Sequence, residues 1–113
     1  MKVGKMFPSK FLSKDDLVEP IVFTVDTVVM EEVQNEDGKE EKPILYFFGN
    51  DVKPLILNKT NAETLEKEFG SDSDDWEGKN IEVYVDPSIR FGKKLIGGIR
   101  VRIPDTSKAP EVF

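Results

Sequence analysis

The sequence predicts a mainly β domain, a five-stranded barrel of the OB type with one short helix between its third and fourth strands. Five short runs are rich in β-branched and aromatic residues, several of them alternating with polar ones, as is typical of strands. One segment of helical period follows the third run. The resulting order, β-β-β-α-β-β, is that of an OB barrel. A short mixed α+β roll with the same order of elements is the alternative.

The first two predicted strands flank a long polar stretch. The first, 21–30, places apolar residues on one face at period two, and the second, 44–48, is apolar on both faces. Residues 31–42 contain turn formers and predict a long, solvated connection between these strands. On the second strand, three residues are predicted to point outward: Ile44, Tyr46 and Phe48.

The third strand leads into the helix. It is predicted at 52–57, where Pro54 indicates a sheet edge or a bulge because proline has no N–H to donate. Thr60 and Glu63 have the spacing of a capping box, so the sequence predicts a helix of about ten residues that starts there. Gly70 is suited to the C-terminal cap of this helix.

The last part of the chain predicts two more strands joined by a hairpin. Trp76 is expected to fold back onto the barrel before the fourth strand, which is predicted at 81–85. The hairpin, 89–95, is expected to turn at Gly92. The fifth strand, 96–103, alternates inward aliphatic residues with outward arginines, so it presents basic side chains on its outer face.

The length of 113 residues fits one domain, 1–113, in which 1–16 form an N-terminal arm and 104–113 a flexible tail. No apolar run approaches the roughly 20 residues that cross a bilayer. The N-terminus also lacks the apolar region of a secretory signal. The sequence therefore predicts a cytoplasmic protein without a membrane partner.

The absence of cysteine and histidine excludes many activities. Thiol nucleophiles, imidazole bases and the usual zinc ligand sets are ruled out. The acidic stretch 72–77 lacks the spacing of an EF-hand loop, because its fifth and sixth positions are Trp76 and Glu77. The sequence therefore predicts a binding protein that is not an enzyme and that holds no metal and no cofactor.

Acidic and basic residues occupy different segments, although the net charge of −6 taken alone disfavours a nucleic-acid partner. Residues 79–108 carry seven basic residues against three acidic ones, whereas 31–42 carry six acidic residues against two basic ones. Single-stranded nucleic acid requires cations for its phosphates and aromatic rings for its bases. Ten residues are candidates for these roles: Tyr46, Phe48, Lys53, Lys59, Arg90, Phe91, Lys93, Lys94, Arg100 and Arg102.

The sequence leaves two kinds of partner open. The acidic stretch 31–42 repels phosphates, so bound nucleic acid is expected on the fourth and fifth strands and their hairpin. Lys59 is a separate candidate for a phosphate contact, because the N-terminus of a helix favours anions. The alternative is a protein–protein adaptor that uses the acidic stretch and the apolar outer face of the second strand.

Four motifs resemble those of a family of small phage and prophage proteins of unassigned function. They are FPSKFL at 7–12, LNKTNA at 57–62, WEGK at 76–79 and GIRVR at 98–102. The resemblance spans residues 7–104 and implies no catalytic residue. Through the genes that accompany such proteins, it implies a part in phage DNA replication or recombination in the cytoplasm of the bacterial host. The partner would be single-stranded DNA or a replication or recombination protein.

Overall fold

A computed structural model of the chain describes residues 10–35 and 38–104, with the backbone alone at Asn35 and Phe91. Seven strands and one α-helix form within this part of the chain. The strands are β1 (Ile21–Asn35), β2 (Gly38–Phe47), β3 (Leu55–Ile56), β4 (Asn80–Asp86), β5 (Arg90–Phe91), β6 (Lys94–Leu95) and β7 (Gly98–Arg102). The helix, α1 (Lys59–Phe69), lies between β3 and β4 in the chain.

Five of these strands form one antiparallel sheet in the order β3-β2-β1-β4-β7, and β5 pairs with β6 in a separate two-stranded sheet. The prediction of a mainly β chain with one helix between the third and fourth strands is confirmed. β4 returns beside β1 after the long connection through α1, so the spatial order β4-β1-β2-β3 is a Greek key.

The five strands do not close into the predicted barrel, because no pairing joins the edge strands β3 and β7 within the described residues. β3 is only two residues long and follows Pro54, which has no N–H for a ladder. At the other edge α1 packs on β7, where Asn61 Nδ2 donates a hydrogen bond to the Ile99 carbonyl oxygen at 3.1 Å. The helix thus satisfies an edge group that a pairing strand would otherwise bond.

β1 is long enough to pair with two different strands. Its residues 21–24 pair with β4, and the rest of the strand pairs with β2 from Val25 onward. The ladder with β2 shifts between Val25 and Thr27, a β-bulge that leaves Asp26 without a partner in β2. Bulges bend the strand that carries them, so this one directs the two parts of β1 toward their separate partners.

The polar stretch 31–42 is not the loop that the sequence predicts, because β1 and β2 continue through it as a two-stranded ribbon. Opposite charges join its strands, with Lys39 Nζ at 3.3 Å from Glu32 Oε1. We call residues 31–35 and 38–42 the acidic ribbon. A ribbon with largely polar residues on both faces lacks the apolar alternation that marks a strand, which is why the sequence pattern predicted a loop.

A single cluster of buried side chains forms the core of the described residues. The rings of Phe23 and Phe47 stack within it, with centroids 4.6 Å apart. Trp76 is buried, as predicted, and its Nε1 donates a hydrogen bond to the Gly70 carbonyl oxygen at 2.9 Å. The cluster consists of Leu17, Phe23, Val25, Leu45, Phe47, Leu55, Leu57, Leu65, Trp76, Ile81, Val83 and Val101.

Part of the predicted N-terminal arm lies against this core. The Leu12 N–H donates to a carbonyl oxygen just before β3 at 2.8 Å, a short 3-10 helix spans Lys14–Asp16, and Leu17 is buried. Residues 1–9 and 105–113 of the predicted arm and tail lie outside the described residues. Among the residues that the structure describes, no helix is long and apolar enough to cross a membrane.

α1 begins one residue before the predicted capping box. Its cap is Asn58, whose Oδ1 accepts a hydrogen bond from the Asn61 N–H at 2.8 Å, and Lys59 is its first residue. The predicted capping box at Thr60 is therefore wrong, because that residue already lies in the first helical turn. Gly70 ends the helix as predicted, with a φ of 108° that favours glycine.

Replacing Asn58 with alanine is expected to lower the free energy of unfolding by about 1 kcal/mol, because the Asn61 N–H loses its acceptor. Thr60→Ala is the matched control, and it is expected to change that free energy by only a few tenths of a kcal/mol, roughly the difference in helix propensity. Urea unfolding followed by circular dichroism measures both. A larger loss in Thr60→Ala than in Asn58→Ala would contradict the assigned cap.

Candidate nucleic-acid interface

The segment between β4 and β7 forms the predicted hairpin, and we call residues 89–96 the basic hairpin. β5 and β6 pair around a turn at Gly92, whose φ of 63° lies in the left-handed region that favours glycine. At the base, the Ile96 and Gly97 N–H groups both donate to the Ile89 carbonyl oxygen, at 3.0 and 3.1 Å. The hairpin is therefore anchored by backbone hydrogen bonds next to β7.

The basic hairpin carries three exposed cations. Arg90, Lys93 and Lys94 are all exposed, and none of them forms an ion pair with another described residue. Leu95 and Ile96 beside them are also exposed, at 61% and 45%. Cationic and apolar surface are therefore interleaved on this hairpin, a combination that suits a ligand with both phosphates and bases.

A fourth cation reaches the base of the hairpin from the N-terminal segment. Lys14 Nζ donates a hydrogen bond to the Ile96 carbonyl oxygen at 2.7 Å, and the residue is exposed. Its ammonium group therefore adds positive charge beside the hairpin. Sequence reasoning missed Lys14 because the two residues are 82 positions apart, and no local pattern connects them.

The outer face of β4 and β7 holds an ion pair beside an aromatic ring. The Glu82 side chain is 4% exposed, and its carboxylate accepts a hydrogen bond from Nε of Arg102, whose side chain is 46% exposed. The central guanidinium carbon of Arg102 lies 4.0 Å from the centroid of the Tyr84 ring, a cation–π geometry. Sequence reasoning missed Glu82 and Tyr84 as site residues, although period two places both on this face.

Arg100 also has partners on this face. Its Nη1 donates a hydrogen bond to the Ile99 carbonyl oxygen at 3.2 Å. The pKa of Asp86 is lowered mainly by the hydrogen bond from the Ser88 hydroxyl, and the positive charge of Arg100 adds to the effect. The predicted basic row on β7 therefore faces carboxylates on β4, which compensate part of its charge.

The aromatic candidates lie on separate elements. Tyr46 is half-buried, and its hydroxyl donates a hydrogen bond to the Glu31 carboxylate, which raises the pKa of Tyr46. Phe48 follows β2 and is 47% exposed. Phe91 belongs to β5, and its side chain lies outside the described part. Ile44 is fully buried, so the prediction of an exposed apolar face on the second strand is wrong for that residue.

The two remaining lysine candidates lie away from the hairpin segment in the chain. Lys53 Nζ is 3.0 Å from Asp16 Oδ1, beside a shallow open pocket of about 210 Å³ with mostly apolar walls. Lys59 is exposed at the first residue of α1 and forms no ion pair with any described residue. Lys53 thus has a structural partner, whereas Lys59 remains available to a ligand.

No protein-family model, curated protein or solved structure matches the chain. Its function is therefore inferred from the geometry of its own residues. Among the residues that the structure describes, no group of three or more metal-binding side chains is placed to hold a metal ion.

The acidic ribbon has the opposite sign to the basic hairpin. Its described residues include four glutamates and two lysines. Glu32 lies directly opposite Glu41 in the β1–β2 ladder, and such like-charge neighbours repel each other. Lys10 and Lys42 pair with glutamates of the ribbon at 3.2 and 3.8 Å. Phosphate groups are therefore disfavoured on the ribbon and favoured on the hairpin.

The Asp16 carboxylate that pairs with Lys53 is expected to make stability depend on acid pH. Hydrogen bonds, first from the Ser13 N–H and then from Lys53, lower the pKa of Asp16 in the folded state. Because the folded pKa lies below the unfolded one, this contribution is complete above the unfolded pKa of about 3.9 and is lost as the pH falls through the folded pKa.

Asp16→Asn is therefore expected to reduce the loss of stability between about pH 5 and pH 2 relative to the unmodified protein. Asp15→Asn is the matched control, since Asp15 lies in the same 3-10 helix and forms no ion pair with another described residue. Urea unfolding at several pH values measures the difference. Equal pH dependence in Asp16→Asn and the unmodified protein would contradict the assigned contacts of Asp16.

Proposed function

We propose that the chain is a non-catalytic binding module of the OB type that binds single-stranded DNA through the basic hairpin and the adjoining outer face of β4 and β7. The observation that carries the proposal is a set of three exposed cations on that hairpin that form no ion pair with another described residue: Arg90, Lys93 and Lys94. They lie beside exposed apolar side chains, so phosphates and bases each find a suitable surface.

The strand arrangement supports the OB assignment. An OB fold is a five-stranded, partly open Greek-key barrel, and its ligands contact the loops that join strands one to two and four to five. Here the Greek key, the helix before β4 and the opening between β3 and β7 agree with that description. The basic hairpin joins the last two strands of the main sheet, which is one of the two loop positions that OB folds use.

The acidic ribbon occupies the other loop position, so DNA contacts are proposed at only one of the two loops that OB folds use. Its carboxylates repel phosphates, so the DNA strand runs over the hairpin and avoids the ribbon. Arg90, Lys93, Lys94 and Lys14 supply the phosphate contacts, with Lys59 as a further cation on α1. The resemblance to small phage proteins suggests DNA replication or recombination in the bacterial cytoplasm as the setting.

Titration of labelled oligo-dT, with fluorescence anisotropy as the readout, tests the proposal. We expect binding that weakens as salt increases, because phosphate contacts release counterions. A single strand of about 16 nucleotides covers the largest site of one OB fold. No binding in low salt at roughly tens of micromolar protein would contradict the proposal, since even non-specific binding falls in that range.

A protein partner is the second candidate, and the acidic ribbon favours it. Within the described residues, no third strand pairs with the ribbon, so backbone groups on both of its edges are open to another chain. A pull-down from nuclease-treated lysate tests this role. It would be favoured by a discrete partner protein that the hairpin variants still retain and that the double variant Glu32→Lys with Glu41→Lys loses. A partner lost on nuclease treatment would favour DNA.

A further inference from the structure

The ion pair on the outer face of β4 and β7 fixes one arginine in an unusual position. Glu82 and Arg102 lie directly opposite each other in the β4–β7 ladder, and the carboxylate of Glu82 is almost fully buried. Tyr84 is the next residue of β4 on the same face, and its ring lies 4.0 Å from the guanidinium carbon. Arg102 is therefore held by two neighbours and remains about half exposed.

A buried carboxylate is stable only when it is paired, so Glu82 binds the guanidinium group tightly at this place. A spacing of 4.0 Å is that of stacked groups and leaves no room for a base between Arg102 and Tyr84. The covered face of Tyr84 is therefore closed to a ligand. The accessible group at this point is the Arg102 side chain, which is 46% exposed.

The charge of Arg102 differs from that of the hairpin cations. Glu82 compensates it, whereas Arg90, Lys93 and Lys94 have no ion-pair partner among the described residues. A compensated cation releases few counterions when a phosphate approaches, so it contributes little to salt-dependent binding. Its planar group keeps its ability to stack on the face of a base.

We propose that Arg102 is a stacking platform for a nucleobase and is not a phosphate anchor, and that Glu82 and Tyr84 are positioning residues that hold it flat. The inference rests on the proposed function, since it assigns the role of one residue within the DNA-binding surface. The ligand is a base of a single strand. Any of the bases can bind, because each has a face that can stack. Phosphates are bound separately by the hairpin.

Two oligonucleotides of equal length separate bases from phosphates: oligo-dT and an abasic strand with the same phosphate backbone. Arg102→Lys keeps the charge and removes the planar group. We expect it to lower the preference for oligo-dT over the abasic strand by about fivefold or more, the effect of one stacked base. The affinity for the abasic strand and its salt dependence are expected to stay unchanged.

Arg100→Lys is the matched control, because Arg100 lies on the same face of β7 and bonds to a backbone carbonyl oxygen. It is expected to lower the preference for bases less than Arg102→Lys does, because no ring contact to Arg100 is found among the described residues. Glu82→Gln tests the positioning role: it is expected to lower the same preference and to steepen the salt dependence, as Arg102 becomes an uncompensated cation. Thermal unfolding by circular dichroism confirms that each variant is folded.

The outcomes separate the two proposals. If the unmodified protein binds neither strand, the proposed function fails and this inference fails with it. If it prefers oligo-dT and Arg102→Lys keeps that preference, the platform is refuted while DNA binding stands. If Arg102→Lys weakens both strands equally, Arg102 is a backbone contact, and the platform is again refuted. An unchanged preference in folded Glu82→Gln refutes its positioning role.

Discussion

Replacing Lys93 and Lys94 together with glutamine is expected to weaken oligo-dT binding roughly tenfold at low salt, because two exposed phosphate contacts are lost. The slope of log K against log salt is expected to become shallower by about 1.4, since each contact with a single strand contributes about 0.7. Anisotropy titrations at four or five salt concentrations measure both quantities.

The matched control removes the same amount of positive charge from the acidic ribbon, where no phosphate contact is proposed. Lys39→Gln with Lys42→Gln removes two lysines from the acidic ribbon, where both pair with glutamates. We expect the salt slope of this control to equal that of the unmodified protein. If the ribbon variant loses slope and the hairpin variant keeps it, the phosphate contacts do not lie on the basic hairpin.

Replacing Trp76 with alanine is expected to lower the free energy of unfolding by about 3–5 kcal/mol, a large share of the 5–15 kcal/mol typical of a small domain. The side chain is 6% exposed and lies in the core cluster, so its removal leaves a cavity. The Gly70 carbonyl oxygen at the end of α1 also loses its donor. Because Trp76 is the only tryptophan of the chain, circular dichroism must follow unfolding of the variant.

Phe48→Ala is the matched control, since it removes an aromatic side chain that is 47% exposed. We expect a loss of about 1 kcal/mol or less, in proportion to the smaller apolar area that Phe48 buries. A loss in Trp76→Ala no larger than that in Phe48→Ala would contradict the assigned core.

The order of the main strands and the helix could be predicted because each has its own pattern. Period two marks the first part of β1, and helical spacing marks α1, so the one-helix β fold follows from local signals. The outer parts of β1 and β2 could not be predicted, since the acidic ribbon has largely polar residues on both faces. The packing of α1 on the β7 edge could not be predicted either, since the hydrogen bond from the Asn61 amide to the Ile99 carbonyl oxygen joins residues 38 positions apart.

The position of the candidate site in the chain could be predicted from the sequence, but the side-chain contacts of Arg102 within it could not. The hairpin and its cations follow from the basic segment and Gly92, and the structure describes them as exposed. The partners of Arg102 required the strand register, because Glu82 lies 20 positions away in the chain. By charge alone Arg102 is equivalent to the hairpin lysines, but the buried carboxylate of Glu82 compensates Arg102, and no described residue forms an ion pair with Lys93 or Lys94.

The central claim is that single-stranded DNA binds on the hairpin side of the sheet. Backbone amide chemical shifts of the labelled protein, followed during titration with oligo-dT of about 16 nucleotides, test it most directly. We predict that the largest changes fall in residues 89–96 and 98–102 and that the acidic ribbon changes little. Changes centred on residues 31–42, or no changes at saturating oligonucleotide, would contradict the claim.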